Sequence, residues 1–145
     1  MHPYPHHYKV SATASTQGDL ATSAASAPPL AVNPPPEFDG PEGYWSPETL
    51  LTAAVADCLI LTFRAIARAS KFEWRSLTCE TEAVLERVAG NSQFTRFISR
   101  ARLEVPAGSD EARAHQLLEK AERGCLVANS LSGTRELVVE IVVAA

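Results

Sequence analysis

The chain has 145 residues, 46% of them hydrophobic and 21% charged, which is the size and composition of one compact soluble domain. Its 13 basic and 17 acidic residues give a net charge of −4, which argues against nucleic acid as a main partner and against a polybasic membrane anchor. We find neither a secretory signal nor a run near the roughly 18 consecutive apolar residues of a membrane-spanning helix. We therefore expect a cytoplasmic protein without membrane attachment.

The N-terminal segment contains three histidines, His2, His6 and His7. Two prolines interrupt the cluster, and no cysteine or carboxylate lies close to it in the sequence. We therefore predict no metal site in this segment.

Residues 6–33 are predicted to form three short strands. Polar and apolar residues alternate over residues 8–14, and Gln17-Gly18-Asp19 is a turn signal of a β-hairpin. A third strand, at residues 30–32, precedes three prolines that hold residues 34–45 as an extended loop. Because these strands have few large apolar side chains, they need another surface to cover them.

The clearest helix start is at Ser46. Serine is a good N-cap, Pro47 suits the first helical position, and Glu48 in the first turn complements the helix dipole. The helix is predicted to continue to about Ser70. Apolar side chains occupy nearly every side of it over residues 50–66, and this pattern predicts a helix that is buried on most sides.

A long hairpin is predicted next, because residues 77–85 alternate with period two and residues 94–105 return after a turn at residues 89–92. On this pattern Cys79 is core filling, on the same face as Leu77 and Leu85. Trp74, just before the hairpin, is predicted to be core or the wall of a pocket. The charged side chains are predicted to form the solvated face of the hairpin: Glu80, Glu82, Arg96, Arg100 and Arg102.

The last third of the chain is predicted to contain two helices and a strand. Ser109-Asp110 caps the first helix, Gly124 ends it, and residues 125–131 form a further short helix before a strand at residues 136–143. The predicted order is β-β-β-α-β-β-α-α-β. This order is an α+β fold, in a single domain over residues 1–145.

The three cysteines point to a reducing compartment, where a thiol is either packed or reactive. Cys58, in the middle of the apolar helix, is either a small buried hydrophobe or a nucleophile, and the second requires a cation to reach it from elsewhere. Cys125 follows Gly124 at a helix start, where free amide groups and the positive end of the dipole favour a thiolate.

Two segments together resemble the signatures of the OsmC/Ohr family. Residues 46–58 resemble its Pro-Glu-x-Leu opening to an alanine-rich helix that ends in the first reactive cysteine, and residues 121–131 resemble its second, cysteine-containing turn. The resemblance implies an OsmC-like fold in an intertwined homodimer, with the cysteine helices buried at its centre. It also implies that the partner subunit completes the strands of residues 6–33.

The resemblance further implies a thiol peroxidase acting on organic hydroperoxides or hydrogen peroxide in a stress response. Cys58 would attack the peroxide, Cys125 would resolve the sulfenic acid to a disulfide, and Glu48 would belong to the polar network of the site. An external dithiol or lipoyl group would reduce the disulfide, with no bound cofactor or metal. Tyr44 and Trp45 would line an apolar pocket, the alternative for them being loop packing.

The sequence departs from the family at an arginine that its peroxidases supply from the N-terminal strand region. Lys9 is the only cation of the first strand, and Arg64, Arg68 and Arg123 are the candidates to replace the arginine. Without such a cation, the alternative function is a non-catalytic OsmC-like dimer that binds a small apolar or thiol-bearing ligand. A third hypothesis is a redox sensor in which a Cys58–Cys125 disulfide alters the dimer.

Overall fold

The computed structural model describes residues 1–145, and its elements follow the predicted α+β order. The chain forms two compact units, residues 1–51 and residues 52–145, which are described in turn. The strands are β1 (Val10–Thr13), β2 (Leu20–Ala24), β3 (Leu30–Val32), β4 (Ser76–Val88), β5 (Asn91–Val105) and β6 (Thr134–Val143). The helices are α1 (Pro47–Ala69), α2 (Glu111–Arg123) and α3 (Leu126–Asn129).

The first unit contains the three predicted short strands, in an antiparallel sheet of order β1-β2-β3. Gly18, with a φ of 88°, makes the predicted turn between β1 and β2. Every residue of β1 is exposed, and Val32 in β3 is the one strand residue of this sheet that is fully buried. The sheet therefore has the thin core that its sequence predicted.

The loop between β3 and α1 is more compact than the extended segment that its prolines predicted. Residues Pro36–Phe38 form a 3₁₀ turn. Gly40 then folds back so closely that a Cβ atom there would lie 1.8 Å from the carbonyl oxygen of Pro34. Beyond the turn, the Asn33 amide donates to the Trp45 carbonyl at 3.0 Å, which ties the end of the loop to the strand β3.

Helix α1 begins as predicted, with Ser46 as its N-cap. The Ser46 hydroxyl accepts a hydrogen bond from the Thr49 amide at 3.1 Å, and the Thr49 hydroxyl accepts one from the Ser46 amide at 2.9 Å. This reciprocal pair satisfies two amide groups that the helix leaves without an internal partner.

The second unit is built on a three-stranded sheet of order β4-β5-β6. β4 and β5 form the predicted hairpin, whose turn residues Ala89 and Gly90 have φ angles of 50° and 84°, as in the two-residue turns that match strand twist. The helices α2 and α3 then carry the chain across the sheet, so that β6 pairs parallel to β5. The predicted alternation in β4 ends at a β-bulge after Val84, beyond which Leu85 is exposed instead of sharing the buried face.

The core of this unit lies between α1, α2 and the inner face of the sheet. Its largest buried side chain is Phe63, whose ring meets Trp74 edge-on at 5.4 Å between centroids. Trp74 is therefore a core residue, and Cys79 packs half-buried against the same cluster, as predicted. The outer face of the sheet carries exposed ion pairs of the predicted charged residues: Arg100 with Glu82 at 4.0 Å, and Arg102 with Glu140 of β6 at 3.6 Å.

Within a single chain, α1 is not buried on most sides, contrary to the prediction from its composition. Its fully buried residues form one stripe, Val55, Leu59, Phe63 and Ala67, whereas Leu61 is 57% exposed. Over an 18-residue window its mean hydropathy is 1.8, so by length and composition α1 is also long and apolar enough to cross a membrane. The sequence prediction of no such helix rested on consecutive apolar residues, and polar residues interrupt this one. Core helices of soluble proteins have the same property, and the buried stripe of α1 is packed as a core.

Candidate active site

Two cysteines from separate elements meet in the second unit. Cys58 lies in the middle of α1, and Cys125 is the N-cap residue of α3. Cys125 is 1% exposed and belongs to a small apolar cluster with Val55, Phe97 and Ala128, against which the half-buried Cys58 packs. Both are free thiols. The structure thus brings together the two cysteines that the sequence selected.

A tight connection between α2 and α3 brings Cys125 to α1. α2 ends at Arg123, and Cys125 has extended backbone angles, φ −68° and ψ 100°, before α3 begins. At Gly124 between them, a Cβ atom would lie 3.3 Å from the Lys120 carbonyl oxygen and 3.7 Å from the Thr62 methyl group of α1. A side chain at Gly124 would therefore crowd the end of α2, whereas its contact with α1 would be an ordinary one, and the turn lies next to α1.

The pKa of Cys58 is lowered without a cation. Burial raises the pKa of this thiol, but hydrogen bonds from the Val127 amide, the Cys125 thiol, the Thr62 hydroxyl and the Leu126 amide together outweigh the burial. The Thr62 oxygen lies 3.8 Å from the Cys58 sulfur. The pKa of this mid-helix cysteine is thus lowered by polar groups, including the backbone of Leu126 and Val127 in α3, and no cation is among the causes.

The pKa of Cys125 moves the other way. Burial raises it, the Ala128 amide lowers it, the Cys58 sulfur raises it as hydrogen-bond acceptor and as a negative charge, and the net result is about 11. The prediction that the helix start favours a Cys125 thiolate is wrong for this reduced pair. The two pKa values are thus displaced in opposite directions, with the lower value at Cys58 and the higher at Cys125.

The cation whose charge acts on this pair is Arg135, which lowers the pKa of Cys125. Arg64, Arg68 and Arg123, the candidates from sequence, are exposed. Arg135 was not predicted, because it lies at the start of β6, outside both cysteine segments. The one signal in the sequence is that no other basic residue follows Cys125.

The other predicted site residues lie in the first unit. Tyr44 and Trp45, both nearly half exposed, line a shallow open groove of about 340 Å³ together with Gly43 and Thr49. Glu48 is half-buried in the first turn of α1. Their roles in a shared site with the cysteines stay predictions.

The N-terminal histidines are exposed. The ring of His6 stacks on Tyr4, with centroids 4.5 Å apart, and its Nε2 lies 3.0 Å from the His2 carbonyl oxygen. These contacts are local to the segment.

Comparison with known proteins places these observations in a family. The family model described as OsmC-like protein matches residues 40–141. The uncharacterized protein YmaD of Bacillus subtilis is 30% identical over 139 residues, which cover 93% of each chain. Among solved structures, an OsmC-like protein of unknown function from Vibrio cholerae matches with a TM-score of 0.83 at 18% identity, over 95% of this chain and all of its own. The organic hydroperoxide resistance protein OsmC of Legionella pneumophila matches with a TM-score of 0.75 at 20% identity, over 97% and 99% of the two chains.

Proposed function

Because this chain belongs to the OsmC-like protein family, we propose that it is a thiol peroxidase that reduces organic hydroperoxides, or hydrogen peroxide, through Cys58 and Cys125. Related structures that carry the name organic hydroperoxide resistance protein support the substrate class. The observation that carries the proposal is the packing of two free thiols in one apolar cluster, Cys58 against the buried Cys125, with their pKa values displaced in opposite directions.

This asymmetry suits a two-step reaction. The Cys58 thiolate attacks one peroxide oxygen, an S–O bond forms as the O–O bond breaks, and the leaving alkoxide takes up a proton as an alcohol. Cys125 then attacks the sulfenic sulfur, an S–S bond replaces the S–O bond, and water is released. An external dithiol or lipoyl group reduces the disulfide by exchange and is itself oxidised.

The surroundings of the pair favour an organic peroxide over hydrogen peroxide. The half-buried side chains around it are apolar: Ala83, Phe94, Val127 and Leu131. An alkyl or aryl group gains free energy when it leaves water for such a surface, whereas hydrogen peroxide has no apolar part. The polar groups of α3 and Thr62 that lower the pKa of Cys58 take over the role of the missing N-terminal arginine.

We propose a homodimer as the working form of the protein, in the cytoplasm. The exposed apolar faces of α1 and the thin N-terminal sheet are surfaces that a partner subunit would cover. The three free thiols suit a reducing compartment.

Peroxide consumption with matched cysteine variants tests the proposal. The wild type is expected to consume cumene hydroperoxide with dithiothreitol or dihydrolipoamide as reductant, and Cys58→Ser to abolish consumption. Cys125→Ser should lose turnover while Cys58 is still oxidised, and Cys79→Ser serves as the control with wild-type activity. No consumption by the wild type with either dithiol would contradict the proposal.

The groove at Tyr44 and Trp45 supports a second function, a non-catalytic dimer that binds a small apolar or thiol-bearing ligand. Quenching of tryptophan fluorescence by such ligands, lost in Trp45→Phe and kept in Trp74→Phe, would favour this function if no peroxide is consumed.

A further inference from the structure

Arg135, the second residue of β6, joins the ends of the two helices that flank Cys125. Its Nε donates to Glu122 Oε1 at 2.7 Å, and its Nη2 donates to the backbone carbonyl of Glu122. Its Nη1 donates to Asn129 Oδ1 at 2.6 Å. Glu122 belongs to the last turn of α2, and Asn129 is the last residue of α3. One guanidinium therefore holds both ends of the segment that contains Cys125.

Asn129 closes this arrangement from the other side, because its Nδ2 donates to the Arg123 carbonyl at 3.1 Å. The last carbonyls of a helix have no partner within the helix, and Asn129 supplies one to Arg123. The Glu122 carbonyl accepts from the Cys125 backbone amide at 3.3 Å as well as from Arg135, so Arg135 and Cys125 share this acceptor. The Arg135–Glu122 ion pair is about one quarter exposed, whereas the ion pairs on the outer face of the sheet are about half exposed or more. A planar group with five donors can make all three contacts, and a lysine ammonium cannot match that geometry.

We infer that Arg135 is a positioning residue for the resolving thiol: it clasps the end of α2 to the end of α3 and thereby holds Cys125 facing Cys58. The inference rests on the proposed function of the cysteine pair. Arg135 lies outside both cysteine segments and makes no hydrogen bond to either sulfur. It therefore acts through its contacts with Glu122 and Asn129.

The clasp matters most at the second chemical step. Cys125 must lose its proton and place its sulfur in line with the S–O bond of the Cys58 sulfenic acid; the S–S bond then forms, and the hydroxide that leaves takes up a proton as water. In the reduced pair the Cys58 thiolate opposes this ionisation and Arg135 favours it. Once Cys58 has become an uncharged sulfenic acid, the opposing charge is gone and the arginine remains.

The test is the rate at which the two thiols form a disulfide in the reduced protein. Diamide serves as the oxidant, because it converts a dithiol to a disulfide without peroxide chemistry. Arg135→Met is expected to slow formation by about ten- to a hundredfold, the scale of losing alignment by an ångström or so. Arg135→Lys keeps the positive charge but loses the planar guanidinium, so disulfide formation is expected to stay slow. Arg102→Met removes an arginine of the neighbouring strand β5, whose ion pair is with Glu140 of β6, and is the matched control, at the wild-type rate.

A second readout uses cumene hydroperoxide with dimedone, which traps sulfenic acid. Arg135→Met should accumulate the dimedone adduct on Cys58, because the sulfenic acid forms but Cys125 no longer resolves it. The rate at which Cys58 is first oxidised should fall much less than the disulfide rate, because Thr62 on α1 keeps its contact with the Cys58 sulfur. A loss of general folding would lower both rates together and would show in circular dichroism.

Wild-type disulfide rates in Arg135→Met, or recovery of the wild-type rate by Arg135→Lys, would overturn the clasp. If Arg135→Met does not fold, Glu122→Ala and Asn129→Ala each remove one side-chain partner of Arg135, and wild-type disulfide rates in both variants would equally overturn the clasp. If the wild type does not react with hydroperoxide, the proposed function is contradicted but the clasp is not. The diamide reaction, which needs no peroxide, still decides whether Arg135 holds the two thiols together.

Discussion

Cys58, in the middle of α1, packs against the apolar cluster that contains Cys125, the N-cap residue of α3. In this arrangement the pKa of Cys58 is lowered and that of Cys125 is raised, so two chemically identical side chains become unequal. The groups that lower the pKa of Cys58 include no arginine.

Removing the Cys125 thiol should raise the pKa of Cys58. In Cys125→Ala the Cys58 sulfur loses one of the groups that lower its pKa, so ionisation needs a higher pH. The pH dependence of iodoacetamide alkylation at Cys58, followed by peptide mass spectrometry, measures this directly. Cys79→Ala is the control with an unchanged profile, and an unchanged profile in Cys125→Ala would contradict this contribution of Cys125.

The reduced protein should lose stability as the pH rises from about 8.5 toward 11. In this range the unfolded chain releases the Cys125 proton, whereas the folded chain, with its raised pKa, keeps it. The unfolded state then binds fewer protons, so the free energy of unfolding falls, by an amount on the order of 2 kcal/mol for this group. Urea unfolding across the range should give a shallower decline in Cys125→Ala, and equal declines would exclude a buried neutral thiol.

Phe63 should be the costliest single side chain of the second unit to truncate. It is fully buried and in edge-on contact with Trp74, so Phe63→Ala removes apolar contacts and leaves a cavity. We expect a loss of about 3–5 kcal/mol in urea unfolding. Val88→Ala, at an exposed position of the hairpin, should change stability by about 0.5 kcal/mol or less. Comparable losses in the two variants would contradict the described core.

The exposed face of α1 should be where a second subunit packs. Leu61 is 57% exposed in the single chain, and a glutamate there would place a charge in the dimer core. We expect Leu61→Glu to sediment as a monomer at concentrations where the wild type is a dimer. Ala112→Glu adds the same charge on the exposed face of α2 and should remain dimeric. A monomeric wild type would rule out the proposed assembly.

The local features of the fold were predictable because local rules govern them. Ser46 and Asp110 as caps, Gly18 and Gly90 as turns, and the two alternating strands of the hairpin all follow from neighbours in the sequence. Cys58 and Cys125 were found through the resemblance of two segments, not through their own surroundings.

What the sequence missed depends on contacts between distant segments. The donors to Cys58 are two backbone amides and a thiol from α3, and amides carry no signature in the sequence. The same packing buries Cys125 and reverses the expectation that a helix start lowers its pKa. Arg135 reaches Glu122 and Asn129 only because β6 pairs parallel to β5 after a long crossover.

The most direct test of the central claim is one reaction of the reduced protein with a single equivalent of cumene hydroperoxide, without added reductant. The account predicts that the intact mass falls by two hydrogens and that peptide mapping finds one disulfide, between Cys58 and Cys125. An unchanged mass, or oxygen added at Cys79 with the other two thiols intact, would contradict it.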